Sequence, residues 1–155
     1  MGLFTPLAIR IGGISWLPRF LPQITAIDMF LQRITGGRLS LLRLAGLPSM
    51  VLTVAGRKTG QPRSTPMLCV PYRNGFLVAG SNFGGPKAPT WVLNVRAADR
   101  VGIVVDGHAQ EAVPHEVEGD ERAAAWEHML RTWPNYAKYA ERTARLIPVF
   151  WLAPL

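Results

Sequence analysis

Met50-Val51-Leu52-Thr53-Val54-Ala55-Gly56-Arg57-Lys58-Thr59-Gly60-Gln61-Pro62-Arg63, continuing through Ser64–Tyr72, Arg73-Asn74-Gly75 and Phe76-Leu77-Val78-Ala79-Gly80, is the stretch that decides the fold. Met50–Ala55 reads as a strand, Gly56–Pro62 as a turn and Arg63–Tyr72 as a second strand. Asn74-Gly75 is a two-residue hairpin signal, and Phe76–Gly80 a third strand, apolar throughout. A doubly wound parallel sheet alternates its strands with crossover helices, and residues 50–80 leave no room for them. Short antiparallel strands with inserted helices predict an α+β fold, a small barrel packed against helices.

The flanking segments fit that frame. Val101–Val105, Asp106-Gly107 and Ala109–Val117 predict a second hairpin, and Ile147–Leu152 a last strand. Pro89 suits the first turn of a helix running to about Ala98. Asp120 would cap a helix over Glu121–Thr132, and another follows Pro134 over Asn135–Arg145. Upstream, Ile24, Ala26, Ile27, Phe30, Leu31 and Ile34 recur at helical spacing and Gly36-Gly37 ends them. A short helical turn is expected over 39–46. The stretch with Pro6, Pro18 and Pro22 reads as irregular or as short helical pieces. Residues 1–48 are thus an apolar, helical N-terminal extension, and 49–155 the barrel domain.

The chain has 155 residues, enough for one domain with a real core. With 48% hydrophobic and 17% charged residues it is too apolar for intrinsic disorder. The single cysteine, Cys69, excludes an internal disulfide and suits a reducing compartment. Arg10, Arg19 and Asp28 interrupt the apolar N-terminal third, so no span of the ~20 uncharged residues that cross a bilayer occurs there. No basic segment precedes the first apolar run, so no signal peptide is expected, and the reading is a cytoplasmic chain.

Charge is unevenly spread. The formal net charge is +7, yet no acid lies between Asp28 and Asp99. Nine cations do: Arg33, Arg38, Arg43, Arg57, Lys58, Arg63, Arg73, Lys87 and Arg96. Without neighbouring carboxylates they can sustain a positive potential. That suits a solvated basic face, or a polyanion such as nucleic acid, anionic lipid or a phosphorylated cofactor. Nucleic-acid binding would call for aromatics interleaved with those cations, and 29–98 has few outside its strands. The reading is therefore no nucleic acid.

Within this stretch, Gly56–Arg63 packs three cations and a hydroxyl into a glycine-bracketed turn. Arg offers a planar fork to phosphate and Lys a point charge. The spacing is not that of a Walker A loop. An exposed basic turn and an anion site are equally compatible with it. Ser81-Asn82-Phe83-Gly84-Gly85 follows an apolar strand, where loops carry ligand-binding groups or merely connect. Pro89-Thr90-Trp91 opens the next helix. His108, His115 and His128 have no metal-ligand spacing, so no metal is expected. No Gly-x-Ser-x-Gly elbow occurs, and Cys69, in an apolar strand, reads as an inert thiol. Trp133, Tyr136 and Tyr139 form an aromatic stripe that could pack the core or line a pocket mouth.

Taken together, Gly56–Arg63, Ser81–Gly85 and Pro89-Thr90-Trp91-Val92-Leu93-Asn94 resemble the deazaflavin-dependent nitroreductase family, split-barrel oxidoreductases that use coenzyme F-420. The similarity runs over about 50–155, through Asp120-Glu121-Arg122, Trp133-Pro134-Asn135-Tyr136 and Tyr139. It implies a split β-barrel and hydride transfer from reduced deazaflavin to a small acceptor: a quinone, a nitro compound or an activated enone. By the same resemblance Arg57, Lys58, Thr59 and Arg63 hold the cofactor's anionic tail, and Thr65, Pro66 and Met67 border its ring. Ser81, Asn82, Phe83 and Gly84, with Pro89, Thr90 and Trp91, complete that pocket. Relatives often carry Lys at the position of Asn82, with Lys87 the nearest substitute. Trp133, Tyr136 and Tyr139 fall at positions that cover the substrate side, and Ser81 and Tyr136 are the candidate hydrogen-bond donors to the reduced acceptor. An FMN- or haem-binding relative of the same barrel is the alternative, with a basic nucleic-acid-binding barrel the less favoured one. The first fifty residues, with five Arg against Asp28, fit an interfacial segment attracted to anionic lipid. They fit equally a helix closing the barrel or a dimer contact, so monomer and homodimer both stay open.

Overall fold

The computed structural model describes residues 4–14, 17–36, 41–44 and 46–155. Among them, seven antiparallel strands form one sheet: β1 (Ser49–Ala55), β2 (Pro62–Leu68), β3 (Val70–Tyr72), β4 (Gly75–Ala79), β5 (Val101–Val105), β6 (His108–Glu116) and β7 (Val149–Pro154), in the order β2-β1-β5-β6-β7-β4-β3. The two ends of that order are consecutive in sequence. Only Cys69 separates β2 from β3, so the sheet must curl until its first and last strands meet, which is the split barrel. The expected single strand Arg63–Tyr72 is therefore two, hinged at Cys69, whose N–H bonds Pro48 O at 3.2 Å. Pro62 and Pro66 lack a donor and are tolerated because β2 is an edge.

Local signals explain most turns. Asp106 and Gly107 both have positive φ, 52° and 79°, and join β5 to β6 as a tight hairpin. The other hairpin is shifted by one residue from expectation. Tyr72 pairs with Gly75, so Arg73 and Asn74 are the loop, with Arg73 at φ 53°. Gly75 serves a different need: a Cβ there would lie 2.1 Å from Leu152 O on β7. Strand β7 also begins two residues later than predicted, at Val149.

Alternation on β1 buries Met50, Leu52 and Val54 inside the barrel, with Val78, Ile103, Phe150 and Leu152. Helix α4 (Thr90–Arg96) closes the barrel with Trp91, Val92 and Val95. On the outer face Leu77, Val70 and Val149 pack under α5 (Gly119–Thr132) and α6 (Asn135–Arg142), against Met129, Trp133, Tyr136 and Tyr139. Asp120 lies within the first turn of α5, and the N-cap is Glu118, without a side-chain cap bond.

Upstream lie α1 (Thr5–Gly12), a short 3₁₀ turn at Leu17–Phe20, α2 (Leu21–Thr35) and α3 (Leu41–Leu44). Gly36, at φ 63°, ends α2. Helix α1 docks on α6: the Tyr139 hydroxyl donates to Gly12 O at 2.7 Å, Arg142 Nη2 to Gly13 O at 2.6 Å, and Asn135 Nδ2 to Ile9 O. Helix α2 is inverted relative to an ordinary surface helix. Asp28 and Gln32 are buried, whereas Ile27, Phe30 and Ile34 are exposed. Asp28 accepts hydrogen bonds from Gln32 Nε2 at 2.9 Å and from Leu41 N at 2.7 Å, which ties α3 to α2. No helix among the described residues is long and apolar enough to cross a membrane.

Candidate active site

Two hollows adjoin on the β2 side of the barrel. The first, about 640 Å³, is lined by the β1–β2 turn, the start of β2 and α4: Gly56, Arg57, Lys58, Thr59, Pro62, Arg63, Ser64, Thr90 and Asn94. The second, about 310 Å³, is mostly apolar and is lined by Pro66, Met67, Ser81, Asn82, Phe83, Pro89, Trp133, Tyr136 and Tyr139. Ile24, Thr25 and Asp28 of α2 and Leu41 and Leu42 of α3 close its far side. Thr65 and Trp91 line both hollows, so the two form one continuous site with a cationic and an apolar half.

The cationic half is held by its turn. Gly56 N bonds Gln61 O and Gly60 N bonds Gly56 O, both at 2.8 Å, and the Thr59 hydroxyl accepts from Gln61 N at 3.2 Å. Buried Asn94, on α4, receives Arg57's backbone N–H at 3.1 Å and its Nη1 at 3.2 Å, both on Oδ1. Arg73–Glu121, Arg96–Glu116 and Arg100–Glu111 are ion pairs. None of them uses Arg57, Lys58 or Arg63.

The apolar half is shaped by a strained loop. Asn82, Phe83 and Gly84 have φ of 45°, 54° and 80°, three left-handed residues in succession. Such conformations cost of order 1–3 kcal/mol at a non-glycine residue and persist only where neighbours impose them. Arg145 imposes this one. Its Nε donates to Gly85 O at 3.0 Å, Nη1 to Gly80 O at 3.1 Å and Nη2 to Ser81 O at 2.9 Å. Arg142 Nη1 adds a contact to Phe83 O at 3.3 Å, and the Phe83 ring meets Tyr139 edge-on at 5.5 Å. Gly84 is packed so closely that a Cβ would lie 2.5 Å from Tyr139 O. Asn82 is exposed and its amide donates to Lys87 O at 3.1 Å, while Lys87 lines neither hollow.

The three aromatic candidates are not equivalent. Trp133 Nε1 donates to the Tyr139 hydroxyl at 3.3 Å, and that hydroxyl donates to Gly12 O, so both groups are engaged within the protein. Tyr136 packs between Trp126 and Tyr139, and its hydroxyl makes no hydrogen bond to a described residue. Burial pushes the Tyr136 phenol far above its ordinary range, so it remains a donor at neutral pH. The Ser81 side chain likewise bonds no described residue. Cys69 is fully buried, its thiol pushed up to about 12 by desolvation. No group of His, Cys, Asp or Glu suited to a metal occurs among the described residues. His128 Nε2 lies 2.8 Å from Pro71 O, and His115 stacks on Trp151, both away from the two hollows.

Sequence reasoning missed Asn94 as a positioning group, Arg145, and the wall made by α2 and α3. Asn94 stood in the sequence as the end of the Pro89–Asn94 motif with no role assigned, and its partner is 37 positions away. Arg145 carries no local signal, because its three acceptors lie 60–65 residues earlier.

The geometry suits a ligand that pairs an anionic arm with a largely apolar body. Residues 26–154 match the family model described as F420H(2)-dependent quinone reductase. A protein of Mycobacterium tuberculosis named as an F420H(2)-dependent quinone reductase is 30% identical over 141 residues, covering 86% of this chain and 93% of that one. The solved structure of an F420-H2 dependent reductase (FDR-A) superposes with a TM-score of 0.63 at 33% identity, over 68% of this chain and 93% of the other. A second structure, described as a domain-swapped dimer, gives a TM-score of 0.66 at 30% identity, over 81% and 96% of the two chains. The chain belongs to the F420H(2)-dependent quinone reductase family, an oxidoreductase whose cofactor is coenzyme F-420 rather than FMN.

Proposed function

We propose that this protein reduces a lipophilic quinone with reduced coenzyme F-420, on the cytoplasmic side of the cell. One observation carries the reading: a cationic groove and an apolar cavity share Thr65 and Trp91 as a common wall. A ligand with a negative tail and a planar ring has a place for each part. Arg57, Lys58, Thr59 and Arg63 take the tail, three of them as cations without a carboxylate partner among the described residues. Each charge-assisted bond contributes roughly 1.5–3 kcal/mol, so three account for about micromolar affinity. Thr65, Pro66, Met67, Asn82, Phe83, Gly84, Pro89, Thr90 and Trp91 hold the ring against the acceptor. The coenzyme supplies the hydride when bound.

The chain's own work is then positioning, exclusion of water and proton delivery. Trp133 and Tyr139, locked to each other and to α1, form a rigid apolar cover. The Tyr136 and Ser81 hydroxyls, without protein partners among the described residues, donate to the acceptor oxygens as negative charge develops on them. Residues 49–155 hold the coenzyme, and the extension before them closes the acceptor side through Ile24, Thr25, Asp28, Leu41 and Leu42. The apolar lining favours quinones over nitro compounds and enones of similar size, although all three present an oxygen to the same donors.

The test is steady-state turnover with reduced coenzyme F-420 and a panel of naphthoquinones, nitroaromatics and enones. Tyr136→Phe is expected to lower kcat about 10- to 100-fold with the coenzyme Kd unchanged, and Ser81→Ala about tenfold. Turnover unchanged in both variants would remove proton delivery by these hydroxyls. Coenzyme binding unaffected by Arg57→Gln, Lys58→Gln and Arg63→Gln combined would remove the tail site.

A further inference from the structure

The Tyr136 hydroxyl bonds no described residue, so its direction is decided by what holds the ring. Tyr136 is 4% exposed and meets two other rings: Tyr139 edge-on at 6.1 Å, and Trp126 of α5 at 5.6 Å with a tilt of 42°. The second torsion of a phenol lies in a broad, two-fold well, so a ring without a hydrogen bond takes its angle from its packing. Tyr139 is already fixed by Gly12 O and Trp133 Nε1. Trp126 is the other brace, and it lines neither hollow.

Trp126 is itself held from one turn earlier on α5. The Arg122 guanidinium lies 5.1 Å from the indole centre, at the i, i+4 spacing that puts both side chains on one helix face. Arg122 Nη2 donates to Ile147 O at 2.7 Å, whereas its buried Nε has no hydrogen-bond partner among the described residues. A guanidinium placed by hydrogen bonding alone would not leave that buried donor empty. The indole sets its place instead, with a cation over an aromatic face. Guanidinium, indole and phenol thus form a row from the first turn of α5 to the acceptor cavity, anchored on the backbone of Ile147.

We propose that Trp126, braced by Arg122, is a positioning residue for the reaction, aiming the Tyr136 hydroxyl at the acceptor oxygen without touching coenzyme or acceptor. The inference rests on the reading of Tyr136 as the proton donor given above. In the step it serves, the phenol O–H breaks as an O–H forms on the acceptor oxygen. The electron pair comes with the hydride that the bound coenzyme supplies, and the phenolate regains a proton from water after product release.

The test is a double-mutant cycle on steady-state turnover with reduced coenzyme F-420 and a short-chain, water-soluble naphthoquinone. Trp126→Leu is expected to lower kcat about tenfold and to raise its solvent deuterium isotope effect, with the coenzyme Kd as in the wild type. Trp126→Phe, which keeps a smaller ring against Tyr136, should lose about threefold, and keeps the cycle readable if the leucine variant does not fold. Arg122→Gln should also lose about threefold. In a Tyr136→Phe background all three substitutions should change kcat by less than about twofold, because no hydroxyl remains to be aimed. Losses that add in free energy to that of Tyr136→Phe overturn the proposal, since they would report general packing. Wild-type kcat in Trp126→Leu overturns it too, and wild-type kcat in Arg122→Gln overturns the part given to Arg122. Only wild-type turnover in Tyr136→Phe alone sinks the donor reading, and the role of Trp126 falls with it.

Discussion

Asn94 Oδ1 accepts two hydrogen bonds from one residue, Arg57, and so decides where a guanidinium on a turn points. An arginine side chain carries roughly 2 kcal/mol of rotamer entropy, and a fixed acceptor removes part of that cost before the ligand arrives. Asn94→Ala is expected to weaken coenzyme binding about tenfold, measured by fluorescence titration, with kcat at saturating coenzyme near the wild-type value. The split follows from position: Asn94 lines the cationic groove and not the acceptor cavity. Arg57 itself was legible in the sequence, because glycines on either side of a cationic run announce an exposed turn. Its orientation was not, since that depends on a side chain brought in by the fold. Tyr136 shows the same division. An aromatic stripe was readable, yet only the packing reveals that the Tyr139 hydroxyl is bonded to Gly12 O and that the Tyr136 hydroxyl bonds no described residue.

Elements formed where local chemistry suffices and departed from expectation where a distant backbone intrudes. The Asp106-Gly107 hairpin needs only two residues tolerant of positive φ, and it appears as read. Asn74-Gly75 carries the same signal, but the approach of Leu152 O claims Gly75 for the sheet and moves the turn back to Arg73. The Ser81–Gly85 loop is the strongest case, because three left-handed residues in a row have no local cause beyond Gly84. Arg145 clamps the flanks of that run through the carbonyls of Gly80, Ser81 and Gly85. Its guanidinium stays charged although burial lowers its pKa. Arg145→Ala is expected to destabilise the fold by about 2 kcal/mol, discounted for partial solvent access. It should also raise KM for coenzyme and acceptor together, since the loop borders both. Arg145→Lys, a point donor, should recover only part of the loss. Chemical denaturation and steady-state kinetics on the two variants check this, and a loop indifferent to Arg145 would leave wild-type values in both.

Across the whole molecule, charge and topology reinforce each other. An acid-free run from Met29 to Ala98 was visible as composition, and the α+β barrel was visible as a run of hairpins. Invisible was the closure of the barrel at Cys69, because joining two sheet edges through one residue is a property of seven strands at once. That closure places the β1–β2 turn beside α4 and the acceptor cavity. The late acids then sort the cations. Glu111, Glu116 and Glu121 pair with Arg100, Arg96 and Arg73, which leaves the groove positive where the ligand is negative. An interaction of that kind is screened by salt over a Debye length of about 10 Å at 0.1 M and about 3 Å at 1 M. The coenzyme Kd should therefore rise several-fold between about 0.05 and 0.5 M sodium chloride, while KM for an uncharged quinone stays nearly constant because its cavity is apolar. In the variant combining Arg57→Gln, Lys58→Gln and Arg63→Gln the salt dependence should flatten, leaving a weak, salt-insensitive affinity from ring contacts alone. A wild-type Kd indifferent to salt would mean that the ring, not the charged arm, carries the binding, and the groove would lose its assigned role.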